Sequence, residues 1–316
     1  MTGRVAIAAL CVAAIAFAAV SAPLEVYVVS LALFGLPHVA TELRYVDERF
    51  GARMGTRLAR RLAIPLLGIA LVRALAIAGV GDATTRAAVE WTLGAASIAV
   101  VLPLLASRGS TPAVLGALAL LVAVLAVLTD PFAALVLFAL AHNLTPLGFL
   151  AERLDGPSRR RAMLVGAVVF LAIPAVIVCG VASPGLPSDR ADALAAQLAS
   201  FVPIAWHEHG FAFDLFRAGA FLQCLHYAIV ILVLPRLGGG GEASGACCPW
   251  PVPKRFVAWI GASAALFAVG YVLSFTGTRA TYGVVAAIHA WLEIPVLLVA
   301  CAVAPRTVPT LAGARA

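Results

Sequence analysis

Long apolar runs separated by short polar connections dominate the pattern of this chain. A helix that crosses the hydrocarbon core of a bilayer needs about 20 predominantly apolar residues, and runs of that length recur along the whole sequence. The pattern predicts an all-α fold, a polytopic bundle of about ten transmembrane helices. We place the predicted spans at 4–22, 24–43, 62–80, 87–106, 112–129, 131–150, 162–182, 216–235, 256–275 and 281–303.

Arginines between the apolar runs orient the predicted helices. Cytoplasmic loops of membrane proteins carry an excess of Lys and Arg. The segments 44–61 and 151–161 are rich in arginine, whereas the alternate connections carry few basic residues, chiefly Arg86, Arg190 and Arg279. The charge pattern predicts an integral membrane protein, in a bacterial inner (plasma) membrane, with both termini in the cytoplasm.

The first apolar run has two interpretations. Arg4, the apolar stretch after it and the small residues Val20-Ser21-Ala22 resemble a secretory signal peptide. Pro23 directly follows the candidate cleavage position and makes cleavage less favourable, so we expect a retained helix. Cleavage would leave nine spans, with the later helices in the same orientation.

Two longer connections interrupt the single membrane domain that we predict over residues 1–316. The external segment 183–215 contains charged residues and then Leu198, Phe201 and Val202 at near-helical spacing, which predicts a short amphipathic helix on the outer surface. The cytoplasmic segment 236–255 is rich in glycine and proline and is predicted to be a flexible linker.

Composition excludes a soluble protein. Hydrophobic residues make up 63% of the chain and charged residues 12%, and the mean hydropathy is +1.03. Soluble domains carry about twice this charged fraction. Lipid must therefore solvate much of the apolar surface. The net charge of +7 does not indicate a nucleic-acid partner, because the basic residues lie between apolar runs rather than on one face.

Four of the six histidines fall inside predicted spans. They are His38, His142, His226 and His289, on the second, sixth, eighth and tenth spans, all of which run from outside to inside. At 1.5 Å per residue these side chains lie roughly 12–21 Å below the outer ends of their helices. Ordinary helix tilts of about 20° would bring them level. Ionisable groups at this depth are costly and usually mark function.

Two carboxylates accompany these histidines. Glu42 follows His38 by four residues and Glu293 follows His289 by four, so each pair shares a helix face. Neutral imidazole is a common ligand of iron, zinc and copper, and a carboxylate can ligate the ion or accept the second ring N–H. The pattern predicts a shared polar site that can hold a metal. Interhelical hydrogen bonding without a metal is the structural alternative.

Other polar residues have less specific roles. His207 and His209 flank one glutamate in a segment predicted to lie outside the bilayer, where they form either a solvated turn or the outer mouth of the central site. Arg73 and Arg217 lie in predicted spans, and we expect them to snorkel or to pair with carboxylates.

Several motifs resemble the Brp/Blh family of membrane carotenoid-cleaving oxygenases. The stretch Gly35-Leu36-Pro37-His38-Val39-Ala40-Thr41-Glu42 is similar to the family's Gly-x-Pro-His-Gly-Ala-x-Asp motif, with valine and glutamate in place of the second glycine and the aspartate. Ala141-His142-Asn143 and Leu225-His226-Tyr227 are similar to its middle and late histidine sites. His289 to Glu293 is similar to its C-terminal histidine–acid pair.

The resemblance implies a non-haem Fe(II) oxygenase. Its partners would be dioxygen and a lipophilic small molecule that enters from the membrane lipid, and the family's reaction is oxidative cleavage of β-carotene to retinal. The implied metal ligands are His38, His142, His226 and His289. The implied catalytic residues are Glu42, Glu293 and Tyr227.

Two other functions fit the buried histidines. A transporter or channel could use the His and Glu side chains to relay protons or bind a cation. A haem electron carrier could use two of the histidines as axial ligands. Walker, dinucleotide-binding and serine-nucleophile motifs are absent from the sequence.

Overall fold

The computed structural model describes residues 2–180, 188–237 and 247–302, and all regular structure in these ranges is helical. The predicted all-α fold is confirmed. The tail after 303, the first residues of the external segment and the centre of the cytoplasmic linker lie outside the described ranges. The helices are α1 (Thr2–Ser21), α2 (Pro23–Ile77), α3 (Ala83–Arg108), α4 (Ser110–Leu128), α5 (Pro131–His142), α6 (Thr145–Arg153), α7 (Gly156–Val178), α8 (Ser188–Ala195), α9 (Ala212–Leu237), α10 (Pro253–Leu273) and α11 (Phe275–Ala302), with 3₁₀ turns at Leu198–Ser200 and Ile204–Trp206.

Six of the described helices are long and apolar enough to cross a membrane, namely α3, α4, α7, α9, α10 and α11. The number rises to eight if α1 with α2, and α5 with α6, each form one bent span. The first pair bends by 120° and the second by 40°. The predicted number of ten spans is therefore not confirmed.

The outer faces of these helices are apolar. Phe17 is 75% exposed, Leu128 73% and Val272 87%, and many other large aliphatic side chains are exposed on the same helices. Water would solvate such a surface poorly, whereas lipid chains match it. The long helices and their apolar exterior indicate an integral membrane protein.

Helix α2 extends through the arginine-rich stretch that was predicted to be a loop. It spans 55 residues with one break, at Gly55, where φ is 68° and ψ is 161°. A residue with a β-carbon would be strained in that backbone conformation, so glycine is required there. Tyr27 before the break and Arg73 after it line the same cavity, so the chain folds back at Gly55.

The part of α2 before Gly55 is its first arm, and polar contacts hold the end of this arm against α6 and the cytoplasmic linker. Arg49 and Arg53 both pair with Glu152 of α6, at 2.9 and 3.1 Å. Asp47 accepts the indole N–H of Trp250 at 2.8 Å, and it also accepts the backbone N–H of Cys247 at 2.9 Å. The end of the predicted linker is thus fixed against α2.

The segment around α8 caps the bundle. Leu194, Leu198 and Phe201 are almost fully buried and belong to one hydrophobic core with Tyr27 and Phe216. The structure contains the predicted short helix, and its Leu194 side chain packs inward onto the bundle. This segment therefore closes the end of the bundle at which α2 begins.

Close contact between α3 and α11 depends on one glycine. A methyl group added to Gly94 would lie 2.1 Å from the indole ring of Trp291. Trp291 is 1% exposed and stacks on Phe138 with ring centroids 4.4 Å apart. Gly94 therefore allows the large indole to lie between the helices, two residues from His289 in the sequence.

Candidate metal centre

The four histidines of the predicted spans converge on one point. His38 lies on α2, His142 ends α5, His226 lies on α9 and His289 on α11. One ring nitrogen from each lies within 4.8 Å of those of the other three. The expected convergence of imidazoles inside the bundle is confirmed, while metal binding stays a prediction.

Backbone carbonyls orient two of the rings. His38 Nδ1 lies 3.3 Å from the carbonyl oxygen of Phe34, and His289 Nδ1 lies 3.1 Å from that of Ala286. A carbonyl oxygen can only accept a hydrogen bond, so in each ring Nδ1 carries the proton. In the neutral rings Nε2 then has the free lone pair. This tautomer presents Nε2 as a metal ligand.

His289 Nε2 faces two carboxylates. It lies 2.9 Å from Glu293 Oε1 and 3.1 Å from Glu42 Oε2. An Nε2 lone pair and two carboxylate oxygens are all acceptors, and they would repel one another at these distances. A proton or a bound cation must therefore lie among them: a second proton on His289, a proton on one of the carboxyl groups, or a metal ion.

The remaining histidines contact the same two acids. His142 Nδ1 lies 3.0 Å from Glu293 Oε2, and His226 Nε2 lies 3.6 Å from Glu42 Oε2. Both carboxylates are 1% exposed, and among the described side chains no arginine or lysine pairs with either of them. Two buried negative charges without a permanent cation are strongly destabilising, so protons or a bound cation must neutralise them.

Several buried atoms at this point have no hydrogen-bond partner. They include both ring nitrogens of His226 and Oε1 of Glu42. His142 Nδ1 and Glu293 Oε2 approach each other but lack hydrogen-bonding geometry. Unsatisfied buried polar atoms are rare in native proteins and call for an explanation. A metal ion would use these lone pairs, and a mixed set of imidazole nitrogens and carboxylate oxygens suits iron.

Tyr227, predicted to be catalytic, lies beside the cluster. Its ring stacks on His38 with centroids 4.0 Å apart, and its hydroxyl hydrogen-bonds with that of Tyr282 at 3.2 Å. Both tyrosines line a cavity that borders the imidazoles. Sequence reasoning did not single out Tyr282, because an aromatic residue in an apolar run is usually part of the packing.

A cavity of about 460 Å³ leads away from the imidazoles. His38, His142 and His289 form one end of it, and Leu135 and Phe138 contribute to its apolar wall. The volume falls within the range of small-molecule sites, about 300–1,000 Å³. The cluster is therefore accessible to a ligand of moderate size.

Glu90 was missed by sequence reasoning. Arg73 Nε lies 2.6 Å from Glu90 Oε2, and the Trp291 indole N–H donates to Glu90 Oε1 at 3.1 Å. The expected pairing of Arg73 with a carboxylate is confirmed, and Arg217 likewise pairs with Asp214 at 2.6 Å. An acid within the apolar run 87–106 was the available signal for Glu90.

His207 and His209 do not join the cluster. His207 Nε2 hydrogen-bonds with the carbonyl oxygen of Val202 at 3.1 Å, and His209 is exposed. Neither side chain belongs to a group of described residues that could hold a metal.

Comparisons of the chain with protein-family models, characterised proteins and solved structures find no match.

Proposed function

We propose that this chain is a membrane-embedded non-haem iron oxygenase that acts on a lipophilic substrate. The observation that carries the proposal is the position of His289 Nε2, 2.9 and 3.1 Å from two buried carboxylate oxygens and surrounded by three further imidazoles. A bound cation would neutralise both carboxylates at once, and the nitrogen and oxygen donors suit iron.

Each polar residue of the centre has a role in this proposal. Bound iron would supply dioxygen binding and oxidising power. The backbone carbonyls that accept from His38 and His289 hold those rings with Nε2 toward the centre. Glu42 and Glu293 supply negative charge, either as ligands or as acceptors for ring N–H groups. The proposed metal ligands are His38, His142, His226 and His289, with Glu42 and Glu293.

The reaction that we propose is cleavage of a carbon–carbon double bond. Each alkene carbon receives one oxygen atom of dioxygen and becomes a carbonyl carbon, so no external reductant is consumed. The resemblance to the Brp/Blh family suggests a polyene such as β-carotene as substrate. The apolar part of the cavity wall would limit water around the reacting atoms, and Tyr227 lines the same cavity.

Packing on the other side of the centre favours an enzyme over a transporter. Tyr45, Val230 and Val296 lie about one helical turn beyond the cluster and are buried together with Phe50 and Phe149. A transport pathway would need polar or small side chains there. The cavity described above lies on the opposite side, as expected for a site that is reached from one direction.

The finer topology is also part of the proposal. Each arm of α2 is long enough to cross a bilayer of about 30 Å if the chain reverses at Gly55. Ten spans with both termini in the cytoplasm of a bacterial cell would follow, and the histidine-bearing helices would then run inward.

Metal analysis tests the proposal directly. We expect the full-length protein, purified in detergent, to contain one or two iron atoms per chain, and His38→Ala to lose most of that iron. His209→Ala is the matched control because His209 is exposed and lies outside the cluster. Iron-free wild-type protein from iron-replete cells, or equal iron in both variants, would refute the iron centre.

A cell-based assay tests the substrate. Expression in β-carotene-producing cells should remove the orange colour and produce retinal, and the His38→Ala variant should do neither. Persistent colour without retinal, from protein that contains iron, would reject carotenoid cleavage but leave the metal centre in place.

A further inference from the structure

We infer that the end of the cavity remote from the imidazoles binds the carboxylate head of a single-chain lipophilic molecule. The recognition site consists of Arg279, Tyr27 and Ser200, which all line the cavity. The inference deepens the proposed function, on which it rests for the identity of this molecule as a substrate. Binding itself does not require the metal.

Arg279 is a cation held by neutral groups. Its guanidinium donates to Ser200 Oγ at 2.9 Å and to Gln197 Oε1 at 3.3 Å. Among the side chains that the structure describes, no carboxylate forms an ion pair with it. Arg73, the other arginine of the cavity wall, is instead neutralised by Glu90. Of the two arginines that line the cavity, Arg279 is thus the one without a described carboxylate partner, and its charge remains available to a ligand.

The neighbouring hydroxyls leave a second donor available. Ser200 Oγ lies 3.1 Å from the Tyr27 hydroxyl, and Tyr27 is 3% exposed. Two hydroxyl groups that share one hydrogen bond have one hydrogen left over, and no other described residue accepts it. A guanidinium beside a free O–H is a donor arrangement that suits a carboxylate.

The distance from the metal centre suggests an extended ligand. Arg279 and His289 are ten residues apart on α11, or about 15 Å along the helix axis. Leu135 and Phe138 contribute apolar wall to the cavity. A molecule with a polar head and an apolar chain would place its head at Arg279 and extend the chain toward His289. The head would then determine which chain atom reaches the imidazoles.

The charge of the site favours a carboxylate over a phosphate. One available guanidinium balances the single charge of a carboxylate, whereas a phosphate monoester carries almost two. The predicted topology also places Arg279 at the external surface of the plasma membrane, where the acidic head of a lipid-like molecule would lie. A long-chain acid in the outer leaflet would thus be oriented before it enters.

Binding of a fluorescent polyene acid tests the inference. Parinaric acid, a conjugated tetraene with a carboxylate head, and its methyl ester should be titrated against metal-free, full-length protein in nonionic detergent. We expect the acid to bind about tenfold more tightly than the ester, because only the acid forms charge-assisted hydrogen bonds with Arg279.

Two arginine variants separate recognition from folding. Arg279→Gln should weaken acid binding about tenfold and leave ester binding unchanged. Arg86→Gln is the matched control, because Arg86 lies in the first turn of α3, does not line the cavity and donates to the carbonyl oxygen of Val80. This control should alter neither affinity.

Three results would overturn the inference. They are equal affinities of acid and ester for the wild type, equal loss of both in Arg279→Gln, and stronger displacement of parinaric acid by oleyl phosphate than by oleate. The second result would mean that Arg279 only fastens residues 197–200. A His38→Ala variant that keeps its preference for the acid would support the head-group site even if no iron binds at the histidines.

Discussion

The proton on His289 Nδ1 leaves the other ring nitrogen, Nε2, to face the two buried acids. That proton is donated to the carbonyl oxygen of Ala286, so Nε2 faces Glu42 and Glu293 either with a second proton or with a lone pair that can bind a cation. In the apolar interior neither acid has an arginine or lysine partner among the described residues. A bound cation would satisfy both acids and the ring at once, which protonation of a single histidine would do only in part.

Glu293 contacts two of the four imidazoles, so its charge should matter for metal affinity. We expect Glu293→Gln to weaken iron binding about 10- to 100-fold, because the neutral amide attracts a cation less and is a poorer partner for ring N–H groups. Iron titration against a competing chelator measures this change. Glu208→Gln, at an exposed position, should bind iron like the wild type. Equal affinities in the two variants would show that Glu293 is not part of the centre.

At the scale of helices, contact between α3 and α11 sets the position of His289. The indole of Trp291 fills the space beside Gly94, and its N–H donates to Glu90. Packed helix interfaces tolerate added volume poorly, since neighbouring side chains must shift or adopt strained rotamers. The position of the metal centre therefore depends on a contact that involves none of its ligands.

Gly94→Ala should displace Trp291 and disturb the centre. We expect destabilisation of about 1–3 kcal/mol from overpacking, together with weaker iron binding. Gly261→Ala is the matched control: Gly261 also lies within a helix, and a methyl group there meets no atom within 4 Å. Thermal unfolding and iron content of both variants measure the effect. Normal stability and iron content in Gly94→Ala would contradict this account of the interface.

At the scale of the whole molecule, the centre joins four helices from distant parts of the chain. α2, α5, α9 and α11 each contribute one imidazole. A ligand that binds only the folded protein stabilises it, and a metal held by all four helices would oppose their separation. The bound ion would thus act as a crosslink in the centre of the bundle.

Iron removal should therefore lower thermal stability. At free iron 100-fold above its dissociation constant, binding contributes about 2.7 kcal/mol, which corresponds to several degrees in the unfolding midpoint. We expect a chelator to lower the midpoint of the wild type and of His209→Ala, but not that of His38→Ala. A chelator effect of the same size in all three proteins would indicate iron binding elsewhere.

The sequence by itself determined the helical class and the candidate residues of the centre. In lipid, the backbone N–H and C=O groups of a twenty-residue apolar run can hydrogen-bond only with one another. Hydropathy alone therefore predicts a helix. Histidines within such runs stand out because ionisable side chains are rare there. His38, His142, His226 and His289 could therefore be named without any knowledge of how the helices pack.

Only the tertiary structure decided how far apart these rings lie and what faces them. Helix rotation and tilt depend on side-chain packing between distant segments, such as Trp291 against Gly94, and local periodicity does not encode them. The pairing of Glu90 with Arg73 and the available donors at Arg279 also depend on packing between distant segments, so the sequence did not predict them. The sequence also did not predict that α2 continues through the arginine-rich stretch. Such a stretch is as compatible with a helix whose arginines pair with Glu152 as with a loop.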